Sequence, residues 1–540
     1  MLELLALGLA AVAVIVALQI LADRTGLPAA ALLTVAGLIY AVLPGPNLTL
    51  HPDLILTLVI PPLIYSAALN SSLLAIRTNL RAIISLSIGL VLATSLAVGA
   101  GFALFVPGVG LAAGVTLGAA VSPTDPVAAL AVGGRAGLPA RLIAIIEGEG
   151  LLNDATALTI LTVAVTAATS GGFSLGDAVL RFVLAAAGGL LAGVAVGFAV
   201  RGLRSAVRDP LLVNCISLAT PFAAYLAGEA LHVSGVLAVA IAGLMVGHDT
   251  PRFTTGASRL QAGAVWHLAD FLLQGFVFLL IGEQILPVVR GLKAYPAGTV
   301  AMAVLLTLGV VLLLRPLWLF LTQSLPGALR TRLGGSAPGR DRLTGREIVV
   351  LSWAGTRGVI SLAAIFTVPL TTSSGRPFPG RDLLLFCTFA VVIVTLVGQG
   401  VTFAPIVRGL GVLADPADLA SLRNEARAAS VRAGLARLDQ IATDPDLPEQ
   451  ELAGLRANLR RRLQRFQAVP GQEDTAAGDL AAAGTAGHEA ALRARRSVID
   501  AQREELLRWR DAGRLPDASL RILERELDHE ERIFPAPGGH

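Results

Sequence analysis

The feature that most constrains this chain is a succession of apolar runs near twenty residues long, almost free of charge and without period-two alternation. In lipid every backbone N–H and C=O must be satisfied within the protein, so only helices or closed barrels can cross. Runs of this length without strand alternation read as spanning helices. Thirteen are predicted, over residues 4–22, 28–43, 54–70, 82–105, 111–133, 140–168, 176–200, 211–228, 233–247, 264–289, 296–324, 347–370 and 383–408. No basic n-region or small-residue cleavage site marks the first, so it is read as a retained helix.

Charge placement divides the chain. Residues 415–540 hold 22 Asp and Glu and 19 Arg, while the first 414 residues hold 16 acids and 23 bases. Only 15% of the whole chain is charged and its mean hydropathy is +0.71, against roughly 25% charged residues in a soluble domain. A soluble enzyme, a nucleic-acid binder and a disordered chain are thereby excluded. The expected organisation is an all-α polytopic membrane domain over residues 1–413 and a soluble helical tail over residues 414–540. Within the tail, 419–438, 449–466 and 488–510 mix Arg, Glu, Ala and Leu at helical spacing.

Arg24, Arg77, Arg81, Arg135, Arg141, Arg201, Arg204, Arg208, Arg252, Arg259, Arg330, Arg332, Arg340, Arg342, Arg346 and Arg408 fall on one set of alternate loops and helix ends. Only Arg181, Arg290, Lys293, Arg376 and Arg381 fall on the other. The positive-inside bias then places the N-terminus outside and the tail in the cytoplasm, in the cell (plasma) membrane. Cys215 and Cys387 both lie in apolar runs and read as small buried hydrophobes. Neither a disulfide nor a Cys/His metal spacing is expected, and no cofactor.

The informative residues are the charges well inside spans: Asp125, Glu147, Glu149, Asp154, Asp270, Glu283, Arg315 and Arg357. Each costs roughly 2.5–3.5 kcal/mol at mid-bilayer unless paired or hydrated. Asp125 sits in Ser122-Pro123-Thr124-Asp125-Pro126, where two prolines remove two donors and disfavour helix at the residues before them. That run is predicted to be two half-helices joined by extended backbone, the kind of interruption that lines an ion site. A plain proline kink with Asp125 as a helix cap is the alternative.

The next helix carries Glu147-Gly148-Glu149-Gly150-Leu151-Leu152-Asn153-Asp154. Glu147, Gly150 and Asp154 share one face, and Glu149 points about 140° away from Asp154. Asp125 and Asp154 together would form a negative, partly hydrated pocket in which a proton and a small cation compete. Asn153 would orient Asp125 through its neutral amide. Arg357, in Trp353-Ala354-Gly355-Thr356-Arg357-Gly358, marks a second interruption seven spans after the first, with Glu149 as its expected partner. The seven-span offset is the pattern of an inverted repeat. Glu147 lines a cytoplasmic funnel or a hydrated helix end. Asp270 and Gln274 share a face of the tenth helix, Glu283 lies near its outer end, and Arg315 snorkels or pairs on the eleventh.

Ser122–Pro126 (SPTDP), Glu147–Asp154 (EGEGLLND) and Trp353–Ser361 (WAGTRGVIS) resemble, in order and spacing, the monovalent cation:proton antiporter-1 family of NhaP/NHE-like sodium/proton exchangers. Pro61–Tyr65 and Phe278–Gln284 are also similar to family landmarks, and the resemblance spans roughly residues 1–410. It implies thirteen helices in NhaA-like inverted repeats, with broken helices crossing at mid-membrane, a homodimer, and elevator-like alternating access. It implies further that Asp154 binds cation and proton in turn, with Thr124 and Asp125 completing the site. Asn153 is then the mark of electroneutral exchange, and Glu149 with Arg357 a structural ion pair. Two departures stand out. Gly150 replaces a hydroxyl common in relatives, and Ser66 replaces a carboxylate many relatives carry, leaving both as positions of additional ligands.

The resulting expectation is a Na+ (or Li+)/H+ antiporter, with transported Na+ held by Asp154, Asp125 and Thr124 and no catalytic residues. A K+/H+ antiporter, a passive cation channel and, remotely, an intramembrane aspartyl protease using Asp125 and Asp154 are the alternatives.

Overall fold

Every predicted apolar run is mainly helical where it is described, with breaks at residues 122–126 of the fifth and 354–358 of the twelfth, and the tail is helical too. A computed structural model describes residues 2–43, 55–127, 129–130, 137–170, 175–207, 209–324, 343–442, 449–468 and 485–532. Residue 54, residues 128 and 131–133 of the fifth run, and Arg135, Arg208, Arg330, Arg332, Arg340 and Arg342 lie outside them. The first membrane helices are α1 (Leu2–Thr25), α2 (Ala29–Val42), α3 (Ile60–Asn70, entered through a π-helical turn at Ile55–Val59), the short α4 (Leu73–Thr78), α5 (Leu80–Phe105) and α6 (Leu111–Val121). Next come α7 (Ala140–Ser170), α8 (Leu175–Ala206), α9 (Pro210–Ala230), α10 (Gly235–Phe253), α11 (Gly256–Gly291) and α12 (Ala297–Ser324). The twelfth predicted span is divided into α13 (Gly345–Trp353) and α14 (Val359–Phe366), and α15 (Arg381–Leu410) completes the set. Among the described residues, eight helices are long and apolar enough to cross a membrane, with shorter apolar helices beside them, and β-structure amounts to one isolated bridge, Thr371 to Pro377.

Helix α7 is the axis of this assembly. Leu161 belongs to a cluster with α6, α12, α14 and α15, whereas Leu151 and Ala155 join α3, α10 and Trp266 of α11. Leu142, Ile145 and Ile146 pack into a third cluster with Leu86, Leu90, Val350 and Leu351. A helix apolar on nearly all sides is one that protein surrounds. Two of the three acids it carries, Glu149 and Asp154, are accordingly buried, and Glu147 is half-buried.

A second compact unit comprises Arg208–Leu211, Thr254–Gly263 and Ala414–His540. Its helices are α16 (Pro416–Ile441), α17 (Glu449–Ala468), α18 (Thr485–Asp511) and α19 (Asp517–Arg532). Asp415 caps α16 by accepting from Ala417 N at 2.8 Å, with Pro416 in the first turn. Ala426, Ile499, Leu506, Trp509, Leu520, Leu523 and Leu527 form its core. Beside that core Asp528 accepts from Arg259 Nε at 3.0 Å and from Arg503 Nη2 at 3.0 Å, and Arg503 also reaches Glu531 at 2.8 Å.

Glu524 is buried next to this cluster with its Oε1 lacking a hydrogen-bond partner. Burial pushes its carboxyl up to about 7 from an ordinary 4.5, and Asp528 adds to the rise while Arg259, Arg503 and Arg510 oppose it. The folded tail therefore holds a proton that the unfolded chain has released. The associated stability is complete below pH 4.5 and is lost as pH rises to about 7. Glu524→Gln removes that loss. Hydrogen–deuterium exchange of α18 and α19 peptides in the full-length protein should show equal protection for the two forms at pH 5 and greater protection for the variant at pH 8. Equal protection at both values would contradict a buried, proton-holding Glu524.

Candidate functional site

Proline chemistry sets the first interruption. Ser122 keeps right-handed helical dihedrals although Pro123 follows it, so the break opens at Pro123 and helical backbone resumes at Val127. The second interruption, Ala354–Gly358, has no proline and relies on glycines. The two meet. Asp125 N donates to Thr356 O at 2.7 Å, and Thr356 Oγ1 donates back to Asp125 O at 2.7 Å. Each break thus satisfies backbone that the other leaves open, as burial in an apolar medium demands. The approach is close enough that a Cβ at Gly358 would lie 1.8 Å from Asp125 Oδ2. Any side chain at position 358 would therefore displace the Asp125 carboxylate.

Asp125 acts as a cap as well as a charge: its Oδ1 accepts from Val127 N at 3.0 Å. On α7, Glu149 is buried and its carboxylate is gripped at both oxygens by Arg315 of α12, Nη2 to Oε2 at 2.8 Å and Nη1 to Oε1. Arg315 Nε meanwhile donates to Leu351 O at 2.9 Å. This corrects the expected Glu149–Arg357 pair. Arg357, only 2% exposed, instead donates its Nε to Val121 O at 2.9 Å and its Nη1 to Gly355 O. Those carbonyls lie at the C-terminal ends of α6 and α13, where unpaired C=O groups concentrate negative potential. A guanidinium that caps two half-helices is not needed by Glu149, which Arg315 serves.

Thr124 Oγ1 donates to Glu149 Oε1 at 3.0 Å and accepts from Asn153 Nδ2 at 2.8 Å. The Asn153 amide thus holds Thr124 rather than Asp125, a second correction, and its Oδ1 is buried without a hydrogen-bond partner. Asp154, one residue on, is 6% exposed and lies within electrostatic range of Asp125. Among the described residues no hydrogen bond or ion pair reaches its carboxylate. Gly150, considered as the place of a lost hydroxyl, packs against the first break: a Cβ there would lie 2.8 Å from Pro126 Cγ. Glu147 is half-buried two turns before Asp154. Ser66 lies on α3 and donates to Asp270 of α11.

The structure therefore brings Thr124, Asp125, Glu149, Asn153, Asp154 and Arg357 together and adds Arg315, Thr356 and Thr395, whose hydroxyl accepts from Arg357 N at 3.0 Å. The sequence signal for Arg315 was an arginine followed by Pro316 deep in an apolar run. For Thr395 there was none.

Paired helix interruptions bonded to each other inside a helical membrane domain, with an uncompensated carboxylate beside them, define a secondary ion transporter of the broken-helix type. Residues 10–409 match the family described as "Sodium/hydrogen exchanger, transmembrane", and the chain belongs to that family, the monovalent cation:proton antiporter-1 group. It is 34% identical over 533 residues to an uncharacterized Na(+)/H(+) exchanger of Mycobacterium tuberculosis, covering 97% of this chain and 94% of that one. It is 29% identical over 504 residues to the sodium, potassium, lithium and rubidium/H(+) antiporter of Bacillus subtilis, covering 91% and 72%. The fold is similar to that of the sodium proton antiporter MjNhaP1 from Methanocaldococcus jannaschii, with TM-score 0.60 and 19% identity over 76% of this chain and 99% of that one.

The protein is a multi-pass membrane cation/proton antiporter of that family, not an enzyme, so the aspartyl protease alternative falls. A stability cycle in detergent tests the corrected pairing. Removing Arg315 alone leaves Glu149 as a buried unpaired charge and should cost roughly 3–5 kcal/mol. Glu149→Gln should recover much of that in Arg315→Met and less in Arg357→Met. Equal coupling in the two thermal-unfolding cycles would return Arg357 to the pair.

Proposed function

We propose that the protein exchanges cytoplasmic Na+ or Li+ for external protons, one for one, with Asp154 binding either ion in turn. The observation that carries this reading is the buried Asp154 carboxylate, which among the described residues meets no fixed cation while the charges beside it are committed. Glu149 is held by Arg315, Arg357 by two helix ends, and Asp125 by the cap it forms. A carboxylate in such a place is neutralised only by something mobile, and a proton and an alkali cation exclude each other there.

The donor set suits a small hard cation, which takes oxygen ligands. Asp154 supplies the carboxylate, Asn153 Oδ1 a buried and unused amide oxygen, and the Thr124–Asp125 break the backbone and second carboxylate. Electroneutral exchange is supported by the neutral Asn153 beside Asp154: with Asp125 keeping its charge and its cap throughout, Asp154 alone changes its ion and carries one in either direction. We assign the protein to the plasma membrane as a homodimer, N-terminus outside and residues 414–540 cytoplasmic. It would work by elevator-like alternating access and serve pH homeostasis. The name of the Bacillus subtilis relative lists potassium and rubidium beside sodium and lithium, so K+/H+ exchange by the same site is the second reading.

The test is dissipation of a preset pH gradient in proteoliposomes, comparing Na+, Li+ and K+. Wild-type protein should respond to Na+ and Li+ at a rate unchanged when valinomycin and K+ clamp the membrane potential. Asp154→Asn should fold and give no response. Undiminished exchange by that variant would sink the assignment, and a voltage-dependent rate would sink the one-for-one stoichiometry.

A further inference from the structure

Asp270 is an intramembrane carboxylate that the site just described does not use. It lies on α11, within an apolar span, and is half-buried. Its Oδ2 accepts from the hydroxyl of Ser66, a side chain that is 1% exposed. Its Oδ1 is buried and has no hydrogen-bond partner. Among the described residues no arginine or lysine pairs with it; the titratable group nearest in charge is His267, one turn earlier on the same helix. A carboxylate in this state is under-satisfied, because buried polar atoms are almost always bonded. A proton or a metal cation on Oδ1 would complete it.

The pair is built rather than incidental. Tyr65, next to Ser66, packs against Trp266, one turn before Asp270, with ring centroids 5.3 Å apart. Trp266 Nε1 is in turn fixed by Ser217 at 2.9 Å. Two consecutive residues of α3 therefore seat two residues of α11 that share a face. The same cluster contains Leu151 and Ala155, which flank the site stretch of α7, so Ser66 and Asp270 stand on the helix packing that holds Asp154. Ser66 is one turn from the end of α3 that leads to Arg77 and Arg81, and Asp270 lies in the half of α11 that begins after Arg252 and carries Arg259 in its first turn. Both elements put the pair toward the arginine-bearing side of the membrane domain.

We propose that Asp270, oriented by Ser66, is a second binding carboxylate for protons and monovalent cations, on the arginine-bearing approach to Asp154. The proposal rests on the reading of Asp154 as the exchange site and adds a station to it. A cation there exchanges for a proton on the same oxygen, so no net charge is left in the apolar span. Ser66 is a positioning residue: its hydroxyl fixes one carboxylate oxygen and turns the other toward the ion.

The decisive measurement is cation-induced proton release by purified protein in detergent, followed with a pH indicator as Na+ or Li+ is added. Asp154→Asn should still release protons, and Asp154→Asn with Asp270→Asn should release none. In proteoliposomes Asp270→Asn should keep exchange but raise the apparent KM for Na+ on the arginine-bearing face by roughly ten-fold, the effect of one nearby unit charge in a medium of intermediate dielectric. Ser66→Ala should raise it less, and Asp270→Glu should restore part of the affinity. If Asp154→Asn alone abolishes proton release, Asp270 is not a station, although the assignment of Asp154 stands. Unchanged KM on both faces in Asp270→Asn and Ser66→Ala would also overturn it. If Asp270→Asn does not fold, Ser66→Ala and Asp270→Glu carry the same comparison.

Discussion

The backbone of two interrupted helices has to be satisfied at membrane depth, and the rest of the membrane domain is arranged around that requirement. An unpaired N–H or C=O in an apolar medium costs several kcal/mol. The paired bonds between Asp125 and Thr356 remove that cost for both breaks at once. They bring the breaks so close that the carboxylate of Asp125 lies against Gly358, where a larger residue would displace it. Half-helix ends left over by the breaks are then met by side chains. Val127 N is capped by Asp125, and the carbonyls of Val121 and Gly355 are capped by Arg357.

This local accounting explains the charge pattern better than pairing by opposite sign. Arg357 and Glu149 are close enough to feel each other, yet each is occupied by a different partner. The bidentate Arg315 fork matches the Glu149 carboxylate geometrically, whereas the Arg357 guanidinium matches two converging carbonyls. With those charges fixed, the polar chain Asn153–Thr124–Glu149 connects the brace to the neighbour of Asp154. The residue left without a fixed partner is the one that faces the break.

Much of this was legible in the sequence, for identifiable reasons. Apolar run length located the spans because lipid allows so few alternatives, and Pro123 and Pro126 announced the first break through their missing donors. Asp154 and Asn153 stand out in the sequence because a charge or amide deep in a span is expensive and therefore conspicuous, whereas Thr124 enters only through the family resemblance. The partner of Glu149 was not legible, since pairing depends on which helix faces α7, and Arg315 lies 166 residues away. Asn153 was given the wrong acceptor because helical phase fixes a direction but not which hydroxyl stands there. Asp270 carried little weight for the same reason: its meaning depends on Ser66, 204 residues earlier, turning toward it.

The spacing on α7 finally limits how such a site can move. Glu149 and Asn153 are four residues apart and share a face, which is the face bonded to Thr124. Gly150 and Asp154, also four apart, share the next face, the one pressed on Pro126. Turning Asp154 away by rotating α7 would break the Thr124 bonds and separate Gly150 from the break. It would leave buried donors and acceptors unpaired, at about 1–3 kcal/mol each. Exposing Asp154 to one side and then the other is therefore cheapest when α7 and the first break travel together as one body. The second break is held to that body through Asp125 and Thr356. In the proposed exchange cycle, the same bonds that make interrupted backbone tolerable in lipid would favour displacement of the site as a unit over rearrangement within it.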